Sequence, residues 1–269
     1  MDFFTLPLLT LTGIFSVLAG FLAGLLGIGG GVILVPLFLW LFHIAGMPEH
    51  LIVHTAFGTS LCVIVPTAIS SALGHRLHGN VVWHQVFYLA GGAALGALFG
   101  SSLAALLPGA ILHKAFGCME ILVGLKLLFY HPYLPPEHQV PPRKSSLLMV
   151  GSTGGLFSAF FGVGGGVISV PLMLIVLRLP IHLAVGNSSA VIVISALAGT
   201  LSYMFHGMHE AAGIPFSIGY VNLLVAAVVA PLTIVSARLG VRLATSISQD
   251  KMIRVFAVLL ILLGLKLTF

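Results

Sequence analysis

Two glycine-rich segments carry the residues best suited to bind a ligand in this 269-residue chain. Gly27-Ile28-Gly29-Gly30-Gly31-Val32-Ile33-Leu34-Val35-Pro36 returns 135 residues later as Gly162-Val163-Gly164-Gly165-Gly166-Val167-Ile168-Ser169-Val170-Pro171. Consecutive glycines cost a helix roughly 1 kcal/mol each relative to alanine. Inside a membrane, irregular backbone survives only where protein or a watery cavity satisfies its polar groups. A nest of N–H groups at the start of the following helix offsets that cost, because helix N-termini carry unpaired donors and partial positive charge. The chemistry is therefore reversible anion binding by the backbone of Gly29, Gly30, Gly31 and Val32, and of Gly164, Gly165, Gly166 and Val167. Close helix packing is the competing reading. The duplication, the short segments that follow and the paired Pro36 and Pro171 favour a substrate-lining role.

A second polar set follows each loop: Thr59 and Ser60 in one half, Asn187, Ser188 and Ser189 in the other. Neutral donors without carboxylates suit an oxyanion better than a metal cation, with interhelical hydrogen bonding as the alternative. Ser169 and Tyr203 are weaker candidates because their partners in the other half are Leu34 and His75. Glu120 lies in the middle of an apolar segment, where its counterpart is Leu260. A carboxylate there costs roughly 2.5–3.5 kcal/mol on the lenient insertion scale, so it is expected to face the protein interior. Glu120 is a candidate for proton coupling, or it caps a buried hydrogen-bond network. His54 and His182 occupy matched positions, and imidazole is the side chain suited to carrying a proton in a coupled cycle, so they join the coupling candidates, with a structural helix-end role as the alternative. His75 with His78, and His206 with His209, resemble metal pairs but are out of register, and no cofactor is expected.

These residues need apolar elements to position them. The chain is 59% hydrophobic and 6% charged, with a mean hydropathy of +1.17, against roughly 25% charged residues in soluble domains. Spanning helices of about 20 apolar residues account for this composition, and the sequence predicts an all-α polytopic membrane protein. Five hydrophobic segments are expected near 6–26, 31–43, 51–74, 84–106 and 110–129, and five more near 147–161, 166–179, 182–205, 216–241 and 251–268. Segments 31–43 and 166–179 fall short of the roughly 30 Å hydrocarbon thickness. Residues 1–130 and 147–269 form two repeats, and the Pro-rich stretch 131–146 joins them.

Charge placement orients the repeats. Five segments per half put Arg76, Lys126, Arg143, Lys144, Arg178, Arg238, Arg242, Lys251 and Arg254 on one side, leaving Lys114 and Lys266 on the other. The positive-inside rule then favours an odd number of crossings per half, hence inverted repeats. The linker is cytoplasmic and both termini lie outside. Re-entrant hairpins at the glycines keep the same parity, so full crossings and hairpins both stay open. The net charge of +5 reflects this bias and gives no reason to expect nucleic acid. Cys62 and Cys118 sit inside apolar runs and imply no disulfide. Met1-Asp2-Phe3-Phe4 lacks a basic leader, so the first helix is expected to be retained.

The motif GxGGGxxxxP, the pair Ala56-Phe57-Gly58-Thr59-Ser60 and Ala184-Val185-Gly186-Asn187-Ser188, and the turn His78-Gly79-Asn80-Val81-Val82-Trp83 resemble the TauE/SafE family of sulfite exporter-like membrane proteins. Gly213-Ile214-Pro215 and Gly219-Tyr220-Val221-Asn222 are similar to it as well. The resemblance implies export of sulfite or small organosulfonates across a prokaryotic inner membrane. One departure is that the asparagine-valine-tryptophan turn occurs once, since Gly207 is followed by Met208-His209-Glu210.

The expected function is a secondary transporter of small oxyanions in the lipid bilayer, working by alternating access between the two halves. A passive anion channel, or transport of another small anion, is the alternative, and homo-oligomerisation stays open. An enzyme is not expected, because Ser60 and His54 lie six residues apart on one helix and face different directions. Cation transport is disfavoured, since Glu120 is the one acid clearly within an apolar segment.

Overall fold

The computed structural model describes residues 6–129, 142–211, 213–243 and 249–268. Among them lie ten α-helices: α1 (Leu6–Leu26), α2 (Gly31–Ile44), α3 (Glu49–Leu77), α4 (Trp83–Ala105), α5 (Gly109–Phe129), α6 (Lys144–Phe161), α7 (Gly166–Ile175), α8 (Ile181–Gly207), α9 (Leu223–Leu243) and α10 (Gln249–Thr268). The only strands among these residues are β1 (Ser217–Ile218) and β2 (Val221–Asn222), an antiparallel pair with Ser217 opposite Asn222. Four helices, α3, α4, α8 and α9, are long and apolar enough to cross a membrane. Most of the predicted linker, residues 131–141, lies outside the described residues. Its last three residues, Lys144–Ser146, already belong to α6.

Four segments differ in extent from the sequence expectation, two of them for a local backbone reason. The ninth segment does not start at 216. Phe216 and Gly219 take positive φ values of 59° and 55°, and the chain makes the β1–β2 ribbon instead. Asn222 then starts α9, its Oδ1 accepting the Val225 N–H at 3.0 Å as a helix cap does. The seventh segment stops at Ile175 rather than 179, because Arg178 adopts φ 51° and Pro180 opens α8. Helices α3 and α8, at 29 and 27 residues, outrun the predicted 51–74 and 182–205, so they extend past the apolar core at both ends.

Contacts follow one scheme. Helix α3 packs on α8, α5 on α10, α4 on both α6 and α8, and α9 on both α1 and α3. Exchanging α1–α5 for α6–α10 maps this set of pairings onto itself. Glycines make the closest crossings possible, since without a Cβ two backbones can touch. Gly92 and Gly96 of α4 meet the backbone of Leu148 and Ser152 of α6, and Gly151 and Gly155 of α6 meet Leu89 and Ala93 of α4. In the other half, Gly20 and Gly24 of α1 sit against Thr233 and Ala237 of α9, and Gly240 answers against Phe21.

The chain doubles back at each glycine loop. A Cβ on Gly30 would lie 2.7 Å from the Ala19 carbonyl, which is seven residues, about 10 Å, back along α1 from its end. Gly165 sits in the same way against Gly154 of α6, at 2.6 Å. Helices α2 and α7 thus return along α1 and α6. At 14 and 10 residues they measure about 21 and 15 Å, short of the bilayer core.

Candidate functional site

The two glycine loops share one backbone conformation. Gly27, Gly29 and Gly30 have φ of 65°, 84° and 79°, and Gly162, Gly164 and Gly165 have 68°, 82° and 79°. Side chains other than glycine rarely adopt these angles, which accounts for the residue type at all six positions. Gly30 and Gly165 are the left-handed caps of α2 and α7.

The fold brings the loops together at the centre of the molecule, buried and in direct contact. A Cβ on Gly31 would come 2.5 Å from the Val163 Cα, and one on Gly29 would be 3.3 Å from the Val163 carbonyl. Conversely, Gly166 abuts the Gly27 carbonyl and the Cα of Ile28. Ile64 of α3 closes over both loops, touching Gly29, Gly31 and Gly164, and Ile192 of α8 reaches Gly164.

Both helix starts keep unpaired donors. The first intrahelical bonds run from Ile33 and Leu34 to the Gly30 carbonyl, and from Ile168 and Ser169 to that of Gly165. The N–H groups of Gly29 to Val32 and of Gly164 to Val167 therefore find no acceptor among the described residues. Pro36 and Pro171 add a further opening. Lacking an N–H, each leaves the carbonyl four residues earlier, on Val32 or Val167, without its helical donor.

The small polar residues divide into two groups. Thr59 and Asn187 anchor the opposite half. Thr59 Oγ1 accepts the N–H of Asn222, just before α9, at 2.9 Å. Asn187 Oδ1 accepts the N–H of Val82, just before α4, at 2.8 Å, while its amide donates to Gln85 at 2.9 Å. Gly58 and Gly186 beside them allow this approach, packing on the carbonyls of Tyr220 and Asn80. In this conformation the polar groups of Asn187 are spent on holding a helix start.

The serines lie nearer the loops. Ser188 Oγ donates to the Gly27 carbonyl at 3.0 Å and so touches the first glycine loop directly. Ser189 bonds its own helix at Val185 and shares a 3.0 Å hydrogen bond with Ser71 of α3. Ser60, the counterpart of Ser188, is fully buried and its hydroxyl has no partner among the described residues. Ser169 sits against Gly154.

Glu120 is 0% exposed, and neither carboxyl oxygen has a hydrogen-bond partner among the described residues. One turn earlier on the same face of α5, Phe116 stacks near Phe57 of α3 and Phe161 of α6, at 5.7 and 6.2 Å between ring centroids. That places α5 beside the start of the second glycine loop.

The matched histidines are not equivalent. His54 is buried, donates through Nε2 to the Ala104 carbonyl at 3.2 Å and stacks on Tyr220 at 5.0 Å. His182 is exposed in the first turn of α8. The His54 ring is thus engaged away from Ser60, with no nucleophile–base contact between them. His78 and His206 each bond the backbone of their own helix, at Gly74 and Ser202.

Pairwise reading of His75 and Tyr203 missed their shared task. His75 Nε2 donates to the Gly24 carbonyl at 3.0 Å, and the Tyr203 hydroxyl donates to that of Ala159 at 3.1 Å. Both acceptors stand three residues before a glycine loop. Two chemically different side chains make the same tether, and only the spatial equivalence of their targets reveals it. A further cluster joins Tyr220, which donates to the Glu210 carboxylate, to His54 beneath it.

Residues 12–267 match the sulfite exporter TauE/SafE family. A probable membrane transporter protein of Haemophilus influenzae is 30% identical over 267 residues, covering 98% of both chains. Another from Methanocaldococcus jannaschii is 28% identical over 97% of this chain and 94% of its own. The Bacillus subtilis probable membrane transporter protein YunE is 25% identical over 95% and 96%. No solved structure matches the chain.

Proposed function

The chain belongs to the sulfite exporter TauE/SafE family and is an integral membrane transporter, and from that premise we propose that it exports small oxyanions, sulfite or small organosulfonates, by alternating access. The observation that carries this reading is the central meeting of two glycine loops, in one backbone conformation, with eight unpaired amides at the paired helix starts. Such amides suit an oxyanion without a fixed cation that would retain it.

In the conformation described, the loops touch each other and Ile64 covers them, which supports a closed carrier rather than a continuous pore. Binding then requires the halves to part. The anion takes up the amides of Gly29–Val32 and Gly164–Val167, with the hydroxyls of Ser60 and Ser188 at hand. The exchange symmetry of the helix pairings supports two inverted repeats rocking about α3 and α8. The cavity bounded by Leu11 of α1, His43 of α2, Glu49 of α3, Lys114 of α5 and Lys266 of α10 supports the expected placing of both termini on one face. In this reading that face is the outer one, and the linker is on the cytoplasmic side of the inner membrane. A negative-inside potential alone drives an anion outward by about 2.3 kcal/mol per charge per 100 mV. Glu120, His54 and His182 are the groups through which a proton could be coupled to this movement.

Flux of labelled sulfite into or out of proteoliposomes tests the proposal, with sulfonates as competitors. Gly29→Ala/Gly164→Ala is the informative variant. At both positions a methyl meets its nearest neighbours at 3.1–3.5 Å, and alanine at φ 84° and 82° adds backbone strain of about 1–2 kcal/mol each; at Gly30 or Gly165 the same strain would come with a methyl striking backbone carbonyls. The expected result is saturable flux, lost at least tenfold in the double variant while its melting behaviour remains cooperative. Equal flux in both proteins would remove the loops from the transport site.

A further inference from the structure

Away from the glycine loops, a cavity of about 1080 Å³ opens between α1, α2 and the adjoining ends of α3, α5 and α10. Its body is apolar: Leu11 and Phe15 from α1, Ile33, Leu37 and Trp40 from α2, and Leu263 from α10. Its ionisable side chains are Lys114, Lys266, His43, His50, His113 and a single acid, Glu49, which come from the last turn of α2, the starts of α3 and α5 and the last turn of α10. Neither lysine forms an ion pair with a carboxylate among the described residues, and both are exposed.

We propose that this groove is a selective site for an anionic phospholipid. The phosphate sits between Lys114 and Lys266, and an acyl chain runs along Phe15, Leu37 and Trp40 toward Ile33. Size and lining decide between this occupant and the transported anion. The cavity lies at the top of the ~300–1,000 Å³ range of small-molecule sites, far larger than a four-atom oxyanion needs. An oxyanion moving along its length would also leave water for a wall of leucine, phenylalanine and tryptophan that offers it no hydrogen bonds. An amphiphile with one negative end matches both parts. Cations also stand beside exposed apolar side chains elsewhere, as Arg238 does with Val235 and Leu239, but the recess there is about 230 Å³, too small to take an acyl chain along its length. A lipid held here lies along α2, two residues from the first glycine loop at Ile33.

Trp40 lines the groove, and Trp83 is the only other tryptophan, so Trp83→Phe makes Trp40 the reporter. The protein is reconstituted in phosphatidylcholine vesicles containing a minor fraction of phosphatidylglycerol or phosphatidylcholine with brominated chains. Phosphatidylglycerol is expected to quench Trp40 at much the lower mole fraction, by roughly thirty-fold if each lysine contributes its usual share at an anionic surface. Lys114→Gln/Lys266→Gln should erase the preference, and Lys114→Arg/Lys266→Arg should keep it. Equal quenching by the two headgroups in the parent protein overturns the proposal without recourse to any charge variant. Relief of quenching by added sulfite would overturn it differently, making the groove a path for the transported anion.

Discussion

Glu120 sits in α5 with both carboxyl oxygens buried and unpartnered, so its replacement separates a transport role from a structural one. A buried polar group without a partner costs about 1–3 kcal/mol or more, which Glu120→Leu should recover, because leucine already fills the matching place at Leu260. The expected outcome is a higher melting temperature, with flux that no longer follows an imposed pH gradient but still follows the membrane potential. Persisting pH-driven flux would take Glu120 out of the coupling scheme. The small polar residues predict a contrast of the same kind. Asn187→Ala strips the Val82 N–H and Gln85 of their partners and should destabilise by about 1–3 kcal/mol in a denaturation series. Ser60→Ala removes a fully buried hydroxyl with no partner among the described residues, so stability should hold or rise by up to about 1–3 kcal/mol, and any fall in flux then reports contact with the substrate. From the sequence, Thr59, Ser60, Asn187 and Ser188 are one kind of residue in one repeated motif. Which of them hold helix starts and which face the loops depends on partners more than 100 residues away.

At the scale of elements, the glycines of α4 and α6 set how near the two helices come. A Cβ on Gly155 would overlap the Ala93 backbone, and relieving it requires the helices to separate. Gly155→Ala is expected to cost about 1–3 kcal/mol, as overpacking does, and to lower the yield of monodisperse protein in detergent. Gly213→Ala, where a Cβ meets nothing within 4 Å, is the matched control and should be neutral. Unchanged stability in Gly155→Ala would show the α4–α6 crossing to be looser than described. Most helices are legible in the chain, because apolar runs between Gly and Pro punctuation mark them. The start of α9 is not. Residues 216–222 are apolar enough to continue the helix, but the positive φ at Phe216 and Gly219 and the capping by Asn222 belong to a turn packed beneath α3.

Over the whole molecule, the proposed inverted repeats make a prediction about sides. In a Cys62→Ser/Cys118→Ser background, a cysteine at 114 should react with an impermeant maleimide added outside intact cells. A cysteine at 144 should react only after permeabilisation. Labelling of both from one side would show that α5 does not cross and would refute the proposed orientation. The sequence by itself determined that the chain is a helical membrane protein, that its glycine motif and the small polar motif after it each occur twice, and that its family is one of transporters. These follow from composition, periodicity and local backbone demands, which act within a few residues. Tertiary structure alone decided that the two loops touch, that Ile64 closes over them, that His75 and Tyr203 perform one task, and that unpaired lysines from α5 and α10 meet at one groove. Each of those depends on close packing between segments far apart in the chain, where the absence or presence of a single Cβ fixes which backbones meet.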